Sequence, residues 1–428
     1  MVHALYMHQT IGSLQETIGH LARCTTAFDG LIVDRHAEKI RCRDHDIHLT
    51  QRWVLLRPET TMRNAIALLP ILAVACSTPS APKEQTSTAD TLAVKDTLIA
   101  AGEKHFKSLK KLTFGGDNAE AYWSFGGDKL IFQATNPAWG ESCDQIYVFN
   151  PFTDDLKTNP PQKISINGGR TTCSYFLPGD SLVLFGSTHS SDASCPAHPE
   201  RRSDGKYVWP IYPSFDIYVS DLKGNIRQQL TKTAGYDAEA TVSPKGDRIV
   251  FTSMRDGDLE LYTMNIDGSD VKRITNTLGY DGGAFFSPDG TKLLWRASRP
   301  KTKAEETEYK QLLKEGLVMP TNMELYVANA DGSDARKISE LGQANWAPFW
   351  HPSGQKIIFA SNHTATRGFP FTLYLINIDG TGLEQVSFSD QFDAFPVFSP
   401  DGKHLVFSSN RHNGGTRETN LFLAEWQD

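Results

Sequence analysis

Polar residues of matched type recur at equivalent places in six segments of this chain. One set lies six residues before a turn in each segment and consists of Asn118, Thr171, Asp237, Asp281, Asn345 and Asp393. Two residues further along are Glu120, Cys173, Glu239, Gly283, Ala347 and Phe395. A third set follows the last aromatic residue after each turn by four places, and five of its six members are basic or imidazole: Asn136, His189, Arg255, Arg299, His363 and Arg411.

Two interpretations of these sets stay open. In the first, the acids and bases form salt bridges between neighbouring repeats and fix their register. In the second, a subset is left unpaired and binds an anionic or polar ligand, a metal or a charged segment of a partner; arginine suits such bidentate contacts. The candidate ligand-binding residues are Glu120, Arg170, Asp237, Glu239, Asp281, Arg299 and His363.

Metal and catalytic signatures are sparse. We predict no cofactor. The alternative is a bound cation such as Ca²⁺, which prefers hard oxygen ligands of the kind that Glu120, Asp237, Glu239 and Asp281 could supply. The sequence has no closely spaced His-x-x-x-His or Cys-x-x-Cys pair and no Gly-x-Ser-x-Gly elbow. We therefore assign no catalytic residue.

The elements that position these side chains are repeated hairpins. A turn followed by an apolar strand occurs six times, at 124–132, 177–185, 243–251, 287–295, 351–359 and 399–407. In the clearest copies the turn reads Ser-Pro-Asp-Gly, in which proline presets φ and glycine accepts a positive φ. A third strand follows each hairpin, and Asp-Gly turns at 267–268, 331–332 and 379–380 lead into a fourth.

Six such units predict an all-β fold, a six-bladed β-propeller of four-stranded antiparallel blades. One unit cannot bury both of its faces alone, so the units must stack radially. The sixth unit ends after its third strand, while an unpaired strand at 110–114 precedes the first. Pairing these two would close the ring and remove an exposed edge.

The hairpins, the Leu-Tyr-x-x-Asn-x-Asp-Gly strands and the terminal Ile-Thr or Val-Ser resemble the TolB-type propeller repeat over about residues 106–428. The resemblance implies the propeller fold and says little about function. TolB proteins carry an N-terminal α/β domain and are soluble in the periplasm. Here only a short tether precedes the first blade, so the chain looks like an exported lipoprotein relative without that domain.

Long second-to-third connections at about 136–143, 189–213 and 300–321 lie on one rim, and residues 304–315 predict a short surface helix. Three cysteines fall in the propeller, which permits three pairings. We favour a Cys143–Cys195 disulfide because both residues lie in such connections of neighbouring blades. The aromatic stretch 207–213 either covers the blade as a local core or forms a docking patch.

The N-terminal part indicates export. Residues 62–64 supply a charged start and 65–74 an apolar segment of secretory length, followed by Ala73-Val74-Ala75-Cys76, which resembles a lipobox. We expect residues 62–75 to be a lipoprotein signal peptide, Cys76 to carry the lipid, and 76–105 to be a flexible tether. Residues 1–61 are expected to be a spurious or disordered extension. An aspartate directly after the lipidated cysteine retains enterobacterial lipoproteins in the inner membrane. Ser77 stands at that position here, which favours the outer membrane.

The net charge of −7 and a pI near 6.0 argue against nucleic-acid binding. We expect a monomeric, non-enzymatic binding scaffold of the periplasm, held to the membrane by lipid alone, whose rim and channel mouth bind an envelope protein, peptide or glycan. One alternative is a metal-dependent lyase or hydrolase of polysaccharide or peptide in the channel. Another is an accessory propeller that gates substrates for a separate peptidase.

Overall fold

The computed structural model describes residues 98–200, 202–366 and 370–428, and the backbone of 39–42 and 45–48. The last two segments form a hairpin of β1 (Lys39–Cys42) and β2 (His45–His48), within a unit of its own at Tyr6–Lys95. The predicted signal peptide, Cys76 and most of the predicted tether lie outside the described residues. The boundaries proposed for 1–61, 62–75 and 76–105 therefore stay predictions. Where the structure describes the chain, no helix has the length and apolar character needed to cross a membrane.

Six four-stranded antiparallel sheets, here blades 1 to 6, make up the described part from Phe106 onward, which confirms the predicted propeller. From the centre outward, the strands of blades 1 to 3 are β4 (Asp117–Trp123), β5 (Leu130–Thr135), β6 (Gln145–Phe149) and β7 (Gln162–Lys163); β8 (Thr171–Phe176), β9 (Leu182–Ser187), β11 (Asp216–Asp221) and β12 (Ile226–Gln229); and β13 (Asp237–Val242), β14 (Arg248–Ser253), β15 (Glu260–Asn265) and β16 (Lys272–Arg273).

Blades 4 to 6 repeat this order. Their strands are β17 (Asp281–Phe286), β18 (Lys292–Ser298), β20 (Met323–Asn329) and β21 (Arg336–Lys337); β22 (Asn345–Trp350), β23 (Lys356–Ser361), β24 (Thr372–Asn377) and β25 (Glu384–Gln385); and β26 (Asp393–Phe398), β27 (His404–Ser409), β28 (Asn420–Trp426) and β3 (Phe106–Lys111). Every residue of β5 and of β17 is buried. The fourth strands of blades 3 and 4 are exposed.

The Ser-Pro-Asp-Gly turns form the hairpins that the sequence predicts. In blade 4, Gly290 has φ +70° and its N–H donates to the carbonyl of Ser287 at 2.7 Å. The Ser287 hydroxyl accepts from the Lys292 N–H at 2.9 Å. The turn thus satisfies its own backbone groups and aims the first and second strands back along each other.

The N-terminal strand closes the ring. β3 pairs antiparallel with β28, with Lys110 opposite Leu423 and Leu109 opposite Ala424. The strand was predicted at 110–114 but spans Phe106–Lys111, because Phe106 and Leu109 are the side chains that bury in blade 6. Phe106 stacks on Phe407 with ring centroids 5.6 Å apart.

The long connections carry the remaining elements. A 3-10 turn spans Pro137–Trp139, and helix α1 spans Lys303–Lys314, close to the predicted 304–315. A capping box at Thr302 and Glu305 begins α1. The connections of blades 2 and 4 pair through β10 (Trp209–Pro210) and β19 (Leu317–Val318).

The connections of blades 1 and 2 are joined by a Cys143–Cys195 disulfide, with Cα atoms 6.0 Å apart. This is the pairing favoured from the sequence, and Cys173 keeps a free thiol. The bridge closes a loop of 52 residues and ties the long 189–213 connection to blade 1.

Substituting Phe106→Ala should lower the free energy of unfolding of the whole propeller by about 3–5 kcal/mol, because it empties a buried ring site in the closing strand. Chemical denaturation measures this, and Lys107→Ala, an exposed change on the same strand, is the control. A cost below about 1 kcal/mol for Phe106→Ala would contradict closure by β3.

Candidate binding site in the propeller channel

All six first strands carry a β-bulge at one equivalent place. At each, two residues stand opposite one residue of the second strand, and the first of the two has a left-handed φ between 47° and 60°. These residues are Glu120, Cys173, Glu239, Gly283, Ala347 and Phe395. Bulges re-aim side chains, and here all six residues line one central cavity.

Glu239 is the hub of a polar cluster in this cavity. Its carboxylate accepts hydrogen bonds from the Tyr280 hydroxyl at 2.9 Å, the Gly283 N–H at 2.8 Å and the Thr252 hydroxyl at 2.8 Å. The Arg296 guanidinium completes the set at 3.0 Å. Only 11% of the Glu239 side chain and 12% of the Arg296 side chain are exposed, so this pair is largely desolvated and depends on that complete hydrogen bonding.

Glu120 faces the same cavity with fewer partners. One carboxylate oxygen, Oε2, accepts from the Cys173 thiol at 2.9 Å. Burial raises the pKa of Glu120; the Cys173 hydrogen bond and Arg296 oppose this rise, and Glu239 adds to it. Burial also raises the pKa of Cys173 well above its usual value, so the thiol stays protonated and acts as a donor.

Gly283 makes room for Arg296, and Gly282 makes room for Tyr280 and Glu239. A Cβ on Gly283 would stand 1.8 Å from Arg296 Nη1, and a Cβ on Gly282 would stand 2.3 Å from the Tyr280 hydroxyl. Arg296 comes from the second strand, opposite Gly282. The equivalent places in other blades hold smaller or uncharged residues: Gln133, Gly186, Thr252, Ala360 and Ser408. Blade 4 is therefore the one in which a charged group from the second strand reaches the axis.

An apolar cavity of about 310 Å³ lies at the hairpin-turn end of the channel. All six blades line this space, here called the funnel, with aromatic and proline side chains that include Trp123, Phe125, Tyr175, Phe349, Trp350, Pro244, Pro288, Pro352 and Pro400. Phe285, Phe349 and Val397 line both the funnel and the polar cavity. The funnel thus borders the charged cluster directly.

At the loop-rich end, the connection 189–213 packs onto channel residues. The Arg296 guanidinium lies over the Trp209 ring at 5.6 Å, and Trp209 contacts Trp346 with centroids 5.1 Å apart. Trp346 in turn donates its indole N–H to the Pro320 carbonyl at 2.8 Å. The aromatic stretch 207–213 therefore serves at least as a local core over this end.

The sequence of one stretch identifies the repeat. Residues 213–316 match the family model described as the TolB beta propeller domain. Over this stretch the chain is similar to the TolB β-propeller domain. No curated protein matches the chain.

Solved structures similar to this TolB-like propeller are distant. One described as TolB from Agrobacterium tumefaciens is 18% identical, with a TM-score of 0.46 over 73% of this chain and 91% of that one. TolB from Acinetobacter baumannii is 17% identical, with a TM-score of 0.43 over 73% of this chain and 64% of that one. An oligogalacturonate lyase from Vibrio parahaemolyticus is 12% identical, with a TM-score of 0.44 over 76% and 95%.

The three aspartates that begin the first strands of blades 3, 4 and 6, here called the aspartate ring, form ion pairs. Asp237 pairs with Arg255 at 3.1 Å, Asp281 with Arg299 at 2.6 Å, and Asp393 with Arg411 at 2.8 Å. Each pair lies within one blade, whereas the sequence suggested pairs between blades. The reason is that the base at the end of the second strand returns beside the acid at the start of the first strand of the same hairpin.

Burial affects these acids strongly. It raises the pKa of Asp281 to about 7, although Arg299 acts in the opposite direction. It raises the pKa of Asp237 as well, again opposed by hydrogen bonds and by Arg255. Arg411 is held by two carboxylates, Asp393 and Glu103, the latter at 2.9 Å, so it joins the segment before β3 to blade 6.

Of the seven candidate ligand-binding residues, the structure brings Glu120 and Glu239 together in the channel. Asp237, Asp281 and Arg299 lie in the buried pairs just described. Arg170 pairs with Asp144 and contacts His198, and the His363 ring lies 2.9 Å from the Ser361 hydroxyl. Of the four metal candidates, Glu120 and Glu239 lie in the channel cavity, whereas Asp237 and Asp281 lie in the buried ion pairs. The described residues hold no group of three or more His, Cys, Asp or Glu side chains arranged for a metal ion.

Sequence reasoning missed Arg296, Tyr280, Tyr122 and Tyr236. Cys173 was aligned with Glu120 but was not among the candidates. The available signal was the Gly282-Gly283 pair, which stands where other blades have larger residues. Because Gly283 on the first strand has no side chain, the long side chain of Arg296 on the second strand can reach the axis.

Substituting Arg411→Leu should destabilise the protein by about 3–5 kcal/mol, because Glu103 and Asp393 would stay buried without their cation. Urea denaturation at neutral pH measures the loss. The control is Arg227→Leu, which removes a pair with Asp221 whose arginine is 58% exposed, and little change is expected there. Equal stability of the Arg411→Leu variant and the unaltered protein would refute a structural role for the aspartate ring.

Proposed function

We propose that this TolB-like propeller is a lipid-anchored binding scaffold of the bacterial cell envelope that receives a segment of a partner protein in its channel. The proposal rests on a difference between the two ends of the channel: the charged groups at one end are paired, and the apolar groups at the other are uncovered. The Asp237, Asp281 and Asp393 carboxylates at the loop-rich end are engaged by arginines of their own blades. The funnel at the opposite end is lined by apolar groups that no other segment of the described chain covers.

The chemistry of the funnel favours a peptide over a glycan. A glycan exposes many hydroxyl groups, each of which needs a hydrogen-bond partner when it leaves water. The funnel walls are mainly aromatic rings, prolines, Val242 and Val397. An apolar side chain gains from burial against such walls at about 25 cal/mol per Å². Rings held by the propeller strands also lose little conformational freedom when they bind.

Two independent features support a location in the cell envelope. Residues 73–76 resemble a lipobox that ends in Cys76. The Cys143–Cys195 disulfide within the propeller suits an oxidising compartment such as the periplasm. An outer-membrane anchor is the version of this proposal that Ser77 favours.

Photo-crosslinking in intact cells tests the partner. A photoreactive amino acid in place of Phe125, on the funnel wall, should yield a discrete adduct with one envelope protein, and the same group at the exposed Lys310 of α1 should not. Adding Pro244→Glu, which puts a charge on the funnel wall, should abolish the adduct, whereas Lys310→Glu should leave it unchanged. An adduct that survives Pro244→Glu, or that forms only from Lys310, would mean that the funnel is not the binding surface.

Membrane fractionation tests the anchor. Cys76→Ala should move the protein from the membrane fraction to the soluble fraction, because the diacylated cysteine is proposed as its sole attachment. Cys173→Ala removes a thiol in the propeller and should stay with the membrane. Membrane retention of the Cys76→Ala protein would show that attachment does not depend on a lipid there.

A further inference from the structure

The polar cavity has hydrogen-bonding capacity that its own residues do not use. Glu239 has a full set of partners, whereas Glu120 accepts one hydrogen bond, from Cys173. Among the described residues, nothing donates to its other oxygen, Oε1. Glu120 is only partly buried and lines the cavity, so this oxygen is available to a ligand there.

Two phenols lie near this carboxylate. Tyr122 is 8% exposed and Tyr236 is 6% exposed, and neither hydroxyl is hydrogen-bonded to a described residue. Burial raises the pKa of both well above the usual value. Glu120 adds to the rise for Tyr122, and Glu239 and Glu120 add to it for Tyr236, so both hydroxyls lie in the field of these acids. Tyr122 also lines the cavity directly.

The charges in the cavity do not balance. Glu120 and Glu239 carry two negative charges when ionised, and Arg296 is the one cation among the residues that line the cavity. An uncompensated charge in a poorly solvated site is neutralised by a proton or by an incoming cation. The raised pKa of Glu120 shows that its proton is held more firmly than usual when no cation is bound.

The space fits a small head group on a larger apolar stem. The polar cavity has a volume of about 30 Å³, enough for a group of about the size of one or two water molecules. The adjoining funnel has ten times that room, about 310 Å³, and apolar walls. Phe285, Phe349 and Val397 form the boundary that the stem would contact.

We propose that the channel binds a primary ammonium group carried on an apolar stem. The ammonium donates hydrogen bonds, and Glu120 Oε1 and the Tyr122 hydroxyl belong to residues that line the cavity and can accept them. The stem lies in the funnel against aromatic rings, whose faces also attract a cation. A carboxylate would meet Glu120 without a counter-charge, and an alcohol would leave the charge of Glu120 uncompensated. This inference rests on the proposed function for the funnel as the way in, and it names the group recognised there.

Calorimetry on the purified full-length protein tests the inference with hexylammonium, hexanol and hexanoate. Hexylammonium should bind about tenfold or more tightly than hexanol, since a hydrogen bond to a charged group is worth that much. Hexanoate should show no binding. Equal affinity for the three compounds, or no binding of the amine, would overturn the proposal.

Three variants locate the binding group. Glu120→Gln should weaken hexylammonium about tenfold or more, and Tyr122→Phe about three- to tenfold. Tyr122→Phe removes a hydroxyl with no protein partner, so it should keep the thermal stability of the unaltered protein. The matched control is Tyr147→Phe, which removes a buried unpaired hydroxyl from the third strand of blade 1 and should not change binding. Unchanged affinity in Glu120→Gln would refute the assignment.

The pH profile separates a binding role of Glu120 from a merely structural one. Affinity for hexylammonium should rise as pH increases through the raised pKa of Glu120, because the cation pairs with the ionised form, and Glu120→Gln should remove this dependence. Among the described residues, the other titratable groups near Glu120 are Cys173, Tyr122, Tyr236, Tyr280, Glu239 and Arg296. Burial raises the pKa of the thiol and of the three phenols well above their usual values, so they keep their protons throughout.

A lysine peptide, acetyl-Ala-Ala-Lys-amide, distinguishes the two sources of such a group. Tighter binding of the peptide than of hexylammonium would assign the site to a lysine of a partner chain, and the reverse would assign it to a free amine. Binding of neither would overturn the inference. Amine binding without a funnel crosslink would leave this inference standing and refute the proposed function, while a crosslink without amine binding would do the opposite.

Discussion

Each blade has two apolar faces, and this constraint determines the rest of the structure. All six residues of β5 are buried, so this strand can be stable only if a neighbouring blade covers its sheet on each side. Six blades arranged in a ring meet that requirement, provided that the last blade is complete. The pairing of β3 with β28 completes it, and it joins residues more than 300 positions apart in sequence, such as Lys110 and Leu423. The blades therefore depend on one another through a single closing contact.

Closing the ring also creates the site. The six first strands converge on the axis, and their bulges turn one residue of each strand toward it. In an ordinary protein core these six residues would be apolar. Here blades 1 and 3 supply Glu120 and Glu239, and Gly283 of blade 4 admits Arg296. The centre is therefore a desolvated polar cluster bordered by an apolar funnel.

The features predicted from the sequence are those set by local pattern, namely the turns and strands. The features missed are contacts made by long side chains across neighbouring strands. The Ser-Pro-Asp-Gly turns gave the hairpins, the six blades and the closure, and the closing strand was displaced because Phe106 and Leu109 decide its position by burial. Alignment placed Asp281 and Arg299 in matched sets, but it cannot tell which side chains touch, and the pair formed within one blade. Arg296 was missed because its role comes from the absence of a side chain at Gly283 on the neighbouring strand.

Glu120 contributes little to the architecture around it. A glutamine at this place could accept the same hydrogen bond from Cys173 and would carry no charge. Because burial raises the pKa of Glu120, the folded state is stabilised by the bound proton below the ordinary glutamate pKa, and this contribution is lost as pH rises through the raised value. A carboxylate whose pKa is raised by burial, and which shares a cavity with the Tyr122 phenol, is typical of a residue whose role is to bind a ligand.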